Sequence, residues 1–276
     1  MIGGIEAGGT KFVCGVGHGP EDLVRREIPT TTPGETLELA IHFLRQHEVK
    51  AIGIASFGPV DLRTNSETYG HITSTPKAGW RNTDIRGAIA RALNVPVAFD
   101  TDVNGALLAE ALWGAARGLT DAVYLTVGTG IGGGALAGGK LVHGLLHPEM
   151  GHIRIPHDGR FKGDCPFHGD CLEGLASGPA VEKQWGVPAQ QLPPDHEAWD
   201  TEADYLANGI SNVICALSPK IIILGGGVPQ APGLISQVNA KVQKLMNGYL
   251  ECPPVVAPEL GNNAGVLGAI ALATSL

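Results

Sequence analysis

The stretch IGGIEAGGTKFVCGVG, residues 2–17, joins two apolar segments through a glycine turn at residues 8–11. The apolar segments 2–5 and 12–16 predict two strands that flank this turn. The same pattern returns in AVYLTVGTGIGGGALA, residues 122–137, where a second glycine turn follows a strand and precedes another. A repeated strand–turn–strand unit predicts that the chain has two similar halves.

Helices and strands alternate after each repeated unit. Helical periodicity, capping residues and apolar runs predict helices at 33–46, 84–93, 103–113, 202–217 and 265–273, and strands at 51–55, 95–99 and 220–224. This alternation predicts an α/β fold with two lobes and a cleft between them. We expect an N-terminal lobe at residues 1–115, completed by the last helix within 262–276, and a C-terminal lobe at 116–261.

Composition excludes several classes of protein. The apolar share of 43% supports folded cores, and the net charge of -8 disfavours binding to nucleic acid or to an anionic membrane surface. No apolar run reaches the ~20 residues that span a bilayer, and the N-terminus does not resemble a signal peptide. An odd number of cysteines, five, fits a reducing compartment, so we expect a cytoplasmic protein.

The glycine turns are candidate phosphate sites. No Walker A motif occurs, and the G-x-G-x-x-G at Gly128, Gly130 and Gly133 leads into a predicted hairpin instead of the helix that a dinucleotide site requires. Two turns in matching positions can present backbone N–H groups and a threonine hydroxyl to phosphates. The alternative is that each is only a tight β-turn.

Four segments resemble motifs of the ROK family, which contains bacterial repressors and sugar kinases. These segments are IEAGGTK at 5–11, DTDVN at 100–104, GTGIG at 128–132 and PEMGH at 148–152. The segments SFGPVD at 56–61, TPKAGW at 75–80 and CPFH at 165–168 resemble the fructokinases of that family. The resemblance implies a duplicated actin-like (ribonuclease H-like) ATPase fold, ATP with Mg²⁺, a hexose substrate and a homodimer.

Asp102 is the candidate catalytic base. It lies between a predicted strand and a predicted helix, and the resemblance places the base of the family at this position. A carboxylate there can accept the proton of an attacking hydroxyl. Asp before a helix is also an ordinary N-cap, and Asp100 is the second candidate for the base.

The resemblance also implies the sugar-binding residues Asn104, Glu149 and His152, and we add Gly58 and Pro59. Asn104 can offer both a donor and an acceptor. Asp61 lines the same site or is a turn residue. Glu6 stands where many relatives have Asp, which puts its role with Mg²⁺ in question. Lys77 replaces an Asn of glucokinase-like members, and this replacement favours fructose over glucose as the substrate.

Nucleotide binding is expected at the glycine-rich segments. The candidate residues are Gly8, Gly9, Thr10, Lys11, Gly128, Thr129, Gly130, Gly178, Pro179, Gly225, Gly226, Gly227, Val228 and Pro229. The last five follow an apolar strand, and ligands bind beyond the carboxyl ends of strands in open α/β sheets. A turn with purely steric glycines is the alternative there.

Cys165, His168 and Cys171 lie within seven residues, and His152 supplies a ring nitrogen as a fourth ligand. Structural zinc takes four such ligands in a tetrahedron, so we expect Zn²⁺ here. The alternatives are a disulfide between the two cysteines or His157 as a substitute ligand.

Two other functions remain in consideration. A sugar-responsive repressor of this family would carry a DNA-binding domain before the first glycine turn, and we expect none here because that turn begins at Gly8. A kinase for glucose, mannose or N-acetylmannosamine is the other alternative, because hydroxyl discrimination depends on the placement of side chains.

Overall fold

The computed structural model describes residues 1–75, 77–274 and 276. Pro76, which belongs to the fructokinase-like motif at 75–80, and Ser275, which belongs to the predicted span 262–276, lie outside the described residues. The chain divides into two compact units. The first contains Met1–Gly118, His143–His147 and Glu259–Leu276, and the second contains Leu119–Val142 and Pro148–Pro258.

The helices and strands follow in chain order. The first run is β1 (Ile2–Ala7), β2 (Lys11–Gly17), β3 (Val24–Pro29), α1 (Pro33–Arg45), β4 (Ala51–Ser56), β5 (His71–Ile72), β6 (Thr83–Asp84), α2 (Ile85–Leu93), β7 (Val97–Thr101) and α3 (Asp102–Trp113). The second run is β8 (Ala122–Val127), β9 (Ile131–Ala137), β10 (Lys140–Leu141), α4 (Leu172–Ala176), α5 (Gly178–Trp185), α6 (Ala198–Leu217), β11 (Ile222–Gly225), α7 (Leu234–Met246), β12 (Val255–Val256) and α8 (Ala264–Ala273).

Each unit contains a five-stranded sheet of the same design. The strand order is β3-β2-β1-β4-β7 in the first unit and β10-β9-β8-β11-β12 in the second. In both sheets the central strand, β1 or β8, pairs antiparallel with the next strand in the chain and parallel with the strand on its other side, β4 or β11. The outer strand beyond that one is again parallel. The repeated strand–turn–strand unit of the sequence is therefore a repeated sheet.

Local sequence explains most of these elements. α1 begins where predicted, because the Thr32 side chain accepts a hydrogen bond from the Glu35 N–H and Pro33 occupies the first turn. Its apolar face buries Leu37 and Leu44 against the sheet. α8 is apolar on all sides because it packs against β1, β4 and α3 and is almost completely buried.

Some elements were not predicted. β3 was missed because five of its six residues at the edge of the sheet are exposed and two are arginines, so it lacks an apolar alternation. α4 lies at the end of the region 148–174 that was expected to be a loop, and α5 and α7 were also missed. In the part of the chain that the structure describes, no helix is both long and apolar enough to cross a membrane.

Candidate active site

The carboxyl ends of three parallel strands lie side by side in the first unit. Ala7 of β1 pairs with Ser56 of β4, and Ser56 pairs with Thr101 of β7. The first glycine turn follows β1, Gly58 and Pro59 follow β4, and Asp102 follows β7. The sheet therefore brings these predicted site residues to one edge, the edge at which ligands bind in open α/β sheets.

The first glycine turn is fixed at its base. The Gly8 N–H donates to the Lys11 carbonyl at 3.0 Å, and the Thr30 hydroxyl donates to the Gly8 carbonyl at 2.7 Å. Lys11 Nζ donates to Glu27 at 2.8 Å. Gly9 and Thr10 lie at the tip of the turn, and the Thr10 side chain is exposed. A phosphate would therefore contact the N–H groups and the hydroxyl of these two residues.

Asp102 does not cap its helix. The N-cap of α3 is Thr101, whose side chain accepts a hydrogen bond from the Asn104 N–H at 3.2 Å. Asp102 is the first residue of the helix, and its Oδ1 accepts the N–H of its neighbour Val103 at 2.9 Å. The capping interpretation of Asp102 is thus wrong, because the preceding threonine performs that role.

Asp100, the second candidate for the base, is buried and already accepts three hydrogen bonds. Its Oδ1 accepts the Thr101 N–H and the Asn104 Nδ2, each at 2.7 Å. Its Oδ2 is 2.8 Å from His143 Nε2. A carboxylate engaged in this way is poorly placed to take a substrate proton. His143 was not among the predicted residues, because 43 positions separate it from Asp100 in the sequence.

Glu6 lies in β1 beside the beginning of α8. Burial, and secondly the negative charge of Asp102, raise the pKa of Glu6 to about 7, while Lys11 acts in the opposite direction. The longer side chain of Glu6 fits because residue 265 is glycine: a Cβ at Gly265 would lie only 2.6 Å from Glu6 Oε2. Glycine at position 265 therefore leaves space for the side chain of Glu6, which is one methylene longer than that of Asp.

Asp61 is a turn residue. Its carboxylate accepts hydrogen bonds from the Arg63 guanidinium at 2.8 Å and from the hydroxyls of Ser66 and Thr68 at 2.6 Å. The hydrogen bond from Arg63, which is the largest cause, holds the pKa of Asp61 well below its usual range. These bonds satisfy both oxygens within one loop, so nothing points to a contact with substrate.

Three predicted nucleotide segments come together in the second unit. In the second glycine turn, the Gly128 N–H donates to the Gly130 carbonyl at 2.9 Å. The Gly128 carbonyl accepts the Gly178 N–H at 2.8 Å, which brings the beginning of α5 to this turn. Gly225 pairs with Thr126 at the end of β8 and β11, so the segment 225–229 begins at the same edge of the sheet. The antiparallel pairing of β8 and β9 confirms the predicted hairpin at this G-x-G-x-x-G, where a dinucleotide site would require a helix.

Glu173, in the first turn of α4, also contacts the second glycine turn and was not predicted. Its Oε2 accepts the Ile131 N–H at 2.9 Å. Glycine at position 130 leaves room for this approach, because a Cβ there would lie 2.6 Å from the same oxygen and the Glu173 carboxylate would have to shift. Its other oxygen lies 4.0 Å from His152 Nδ1. Glu173 thus joins the turn to the cluster of cysteines and histidines.

The side chains of His152, Cys165, His168 and Cys171 converge, with one ligand atom from each lying within 4.8 Å of the others. His152 Nδ1 is 3.8 Å from Cys165 Sγ and 3.6 Å from Cys171 Sγ. His168 Nδ1 is 3.7 Å from Cys165 Sγ. Bond lengths to zinc and tetrahedral angles separate sulfur from nitrogen by about 3.5 Å, so the geometry fits zinc.

His157 and a disulfide fit less well. His157 Nδ1 accepts the Gly159 N–H at 3.1 Å, and its Nε2 lies 3.2 Å from Asp170, so both ring nitrogens are engaged. Both Cys165 and Cys171 are free thiols. Burial raises the pKa of Cys171, a cost that a bound cation would offset because metals bind the thiolate.

Glu149 precedes the short turn Met150–His152, and its carbonyl accepts the His152 N–H at 3.0 Å.

Comparisons with known proteins give the family of this chain. The model of the ROK family matches residues 2–275. Relatives that are 39–44% identical over 99–100% of this chain are named fructokinase. One of them, from Zymomonas mobilis subsp. mobilis, is 44% identical over 99% of this chain and 96% of its own length. Relatives named glucokinase from Streptomyces are 28% identical.

Two solved structures share the fold over the whole chain. A ROK hexokinase from Thermus thermophilus is 30% identical, with a TM-score of 0.85 over 99% of this chain and 98% of its own. A ROK glucokinase from Streptomyces griseus, in complex with glucose and AMPPNP, is 25% identical, with a TM-score of 0.76 over 100% of this chain and 99% of its own. The predicted α/β fold with a duplicated actin-like design is confirmed, and the chain belongs to the ROK family.

Proposed function

We propose that this protein transfers the γ-phosphoryl group of ATP to D-fructose and produces fructose 6-phosphate. The observation that carries the proposal is the arrangement at the end of β7, where Thr101 caps α3 and Asp102 is not needed for the cap. The relatives named fructokinase, which are more similar than those named glucokinase, support fructose as the acceptor.

Asp102 is proposed as the general base. The hydroxyl oxygen on C6 attacks the γ-phosphorus, the bond to the oxygen between the β- and γ-phosphates breaks, and ADP leaves. The proton of the hydroxyl passes to the Asp102 carboxylate. Asn104, Glu149 and His152 are proposed to bind sugar hydroxyls, with Gly58 and Pro59 next to them.

Phosphate binding is proposed at the two glycine turns. Gly9 and Thr10 offer N–H groups and a hydroxyl, and so do Thr129 and Gly130 of the second turn, which Glu173 supports. Gly178, Pro179 and the segment 225–229 are proposed to contact the nucleoside. Mg²⁺ would neutralise the phosphate charge, and the carboxylate of Glu6 is an oxygen donor of the type that this ion prefers.

The cluster of His152, Cys165, His168 and Cys171 is proposed as a structural Zn²⁺ site. All four side chains belong to the second unit, and bonding through His152 Nδ1 would leave its Nε2 available for the sugar. We also propose that the protein is a homodimer, on the strength of its resemblance to the family.

Identification of the product tests the proposed function. The protein is incubated with ATP, Mg²⁺ and D-fructose, and the product is examined by ³¹P NMR for fructose 6-phosphate, with Asp102→Asn as the matched control. Fructose 1-phosphate as the product would contradict the assignment of the C6 hydroxyl as the attacking group. Glucose or mannose as the only phosphorylated sugar would favour a different hexose kinase, and the absence of any product would favour a regulator.

A further inference from the structure

His143 belongs to the first unit, although the residues on both sides of its short segment belong to the second. The segment is His143–His147, with Val142 before it and Pro148 after it. Within the first unit, His143 Nε2 lies 2.8 Å from Asp100 Oδ2, and the imidazole is 38% exposed. The histidine therefore reaches the end of β7, two residues before the proposed base.

The bonds of Asp100 determine how the Asn104 amide is oriented. A carboxylate only accepts hydrogen bonds, so the atom of Asn104 that lies 2.7 Å from Asp100 Oδ1 is the donor Nδ2. Asn104 Nδ2 also approaches His143 Nε2 to 3.5 Å, but both nitrogens are donors when His143 donates to Asp100. Asn104 therefore directs Oδ1 away from Asp100. Of the donor and the acceptor that were expected of Asn104, the acceptor Oδ1 is therefore the atom that can bind a sugar hydroxyl.

Asn104 Oδ1 has no hydrogen-bond partner within residues 1–75, 77–274 and 276, and the residue is 1% exposed. A buried acceptor without a partner is costly, so such an atom is expected to meet a donor when a ligand binds. A sugar hydroxyl is a donor of this kind. The unsatisfied oxygen is the second observation, beside the His143–Asp100 pair, that points to a ligand here.

We propose that His143 is a positioning residue for the acceptor sugar, because its bond to Asp100 holds that carboxylate against Asn104 and so presents Asn104 Oδ1 to a donating hydroxyl. This inference rests on the proposed sugar kinase function. Without His143, the buried Asp100 Oδ2 would lose its partner and the carboxylate could rotate away from Asn104. The hydrogen bond to Asp100 also raises the pKa of His143.

The test compares His143→Ala with His143→Gln, whose side-chain amide can still donate to Asp100. His18→Ala is the matched control, since His18 forms a similar 2.8 Å pair with Asp22 on an exposed surface of the same unit. His143→Ala should raise the KM for D-fructose about 10-fold, with kcat and the KM for ATP changed less than about 2-fold. His143→Gln should recover most of the loss, and His18→Ala should change nothing.

A second readout needs no sugar. In ¹H–¹⁵N spectra of the unliganded protein, the Asn104 side-chain amide should shift in His143→Ala and keep its wild-type position in His143→Gln. An unchanged Asn104 amide in a folded His143→Ala protein would overturn the proposal, as would an unchanged KM for fructose or no recovery in His143→Gln. If wild-type protein phosphorylates no fructose, the proposed function fails while the amide spectra still decide the role of His143.

Discussion

Asp102 and Asp84 each stand at the beginning of a helix in the first unit, but they bond differently. Asp84 caps α2, since its Oδ1 accepts the Gly87 N–H at 2.7 Å. Asp102 lies one residue after the cap of α3, which Thr101 provides. The same residue type thus caps a helix in one place and follows the cap in the other.

Asp102→Asn should keep the fold and sugar affinity but lower kcat by about 10²–10⁴-fold, because an amide of the same shape cannot take a proton. Steady-state kinetics and direct binding of fructose measure the two effects separately. Asp84→Asn is the matched control and should keep its kcat. A near-normal kcat in Asp102→Asn would remove Asp102 from the role of base.

Glu6 makes stability depend on pH. Its pKa rises from 4.5 to about 7 on folding, so the folded state binds the proton more tightly, and stability is lost as pH rises from about 4.5 through 7. Glu6→Gln removes this loss, which is on the order of 3 kcal/mol. Urea unfolding at pH 4.5 and pH 8 should therefore show that the substitution becomes more stabilising at the higher pH. The same benefit at both values would contradict the raised pKa.

The site residues that the sequence predicted share one property. Asp102 and Asn104 were predicted because each is a polar residue at a strand–helix junction, and that junction can be recognised from neighbouring residues in the chain. Glu173 and His143 were missed because each acts on a group about 40 positions away, Ile131 and Asp100 respectively. Such contacts depend on how strands and loops pack, and one sequence gives no local sign of them.

Among the elements, α4 connects two sites that the sequence presented as separate. Cys171 is the N-cap of α4, and Glu173 in its first turn holds the Ile131 N–H of the second glycine turn. A change in the cysteine and histidine cluster can therefore reach the second glycine turn through two residues of one helix. A Cys171→Ser substitution would act on the N-cap of α4 as well as on the cluster.

Cys165→Ser tests the metal site without altering α4 itself. Wild-type protein purified without added metal should contain one zinc per chain by elemental analysis, and the variant should contain much less. Fructose affinity should fall by more than ATP affinity, since His152 belongs to the cluster and Glu149 lies three residues before it. Cys252→Ser, a free cysteine outside the cluster, is the control. A metal-free wild type with full fructose affinity would contradict the account.

Element prediction succeeded where apolar patterning was strong. α1 and the strands around both glycine turns were predicted within about three residues, because their buried faces repeat with the correct period. β3 is exposed along most of its length and is held by its pairing with β2, which no local sequence pattern indicates. α7 was missed because its surroundings were interpreted from their glycines alone.

For the molecule as a whole, the two sheets repeat one strand order, and the three parallel strands of each end at an edge that carries predicted ligand residues. The duplication could be predicted from sequence because both copies retain a glycine turn between two apolar strands. The identity of the sugar is a finer property. It depends on which sugar hydroxyls the binding residues contact, and single side-chain positions decide that.

The ratio of kcat/KM for D-fructose to kcat/KM for D-glucose, measured with saturating ATP and Mg²⁺, tests the proposed activity. We expect fructose to be preferred by about tenfold or more, which corresponds to about 1.4 kcal/mol of differential transition-state binding. Mannose and N-acetylmannosamine, measured under the same conditions, should fall below fructose as well. A ratio of one or less would contradict the assignment of this protein as a fructokinase.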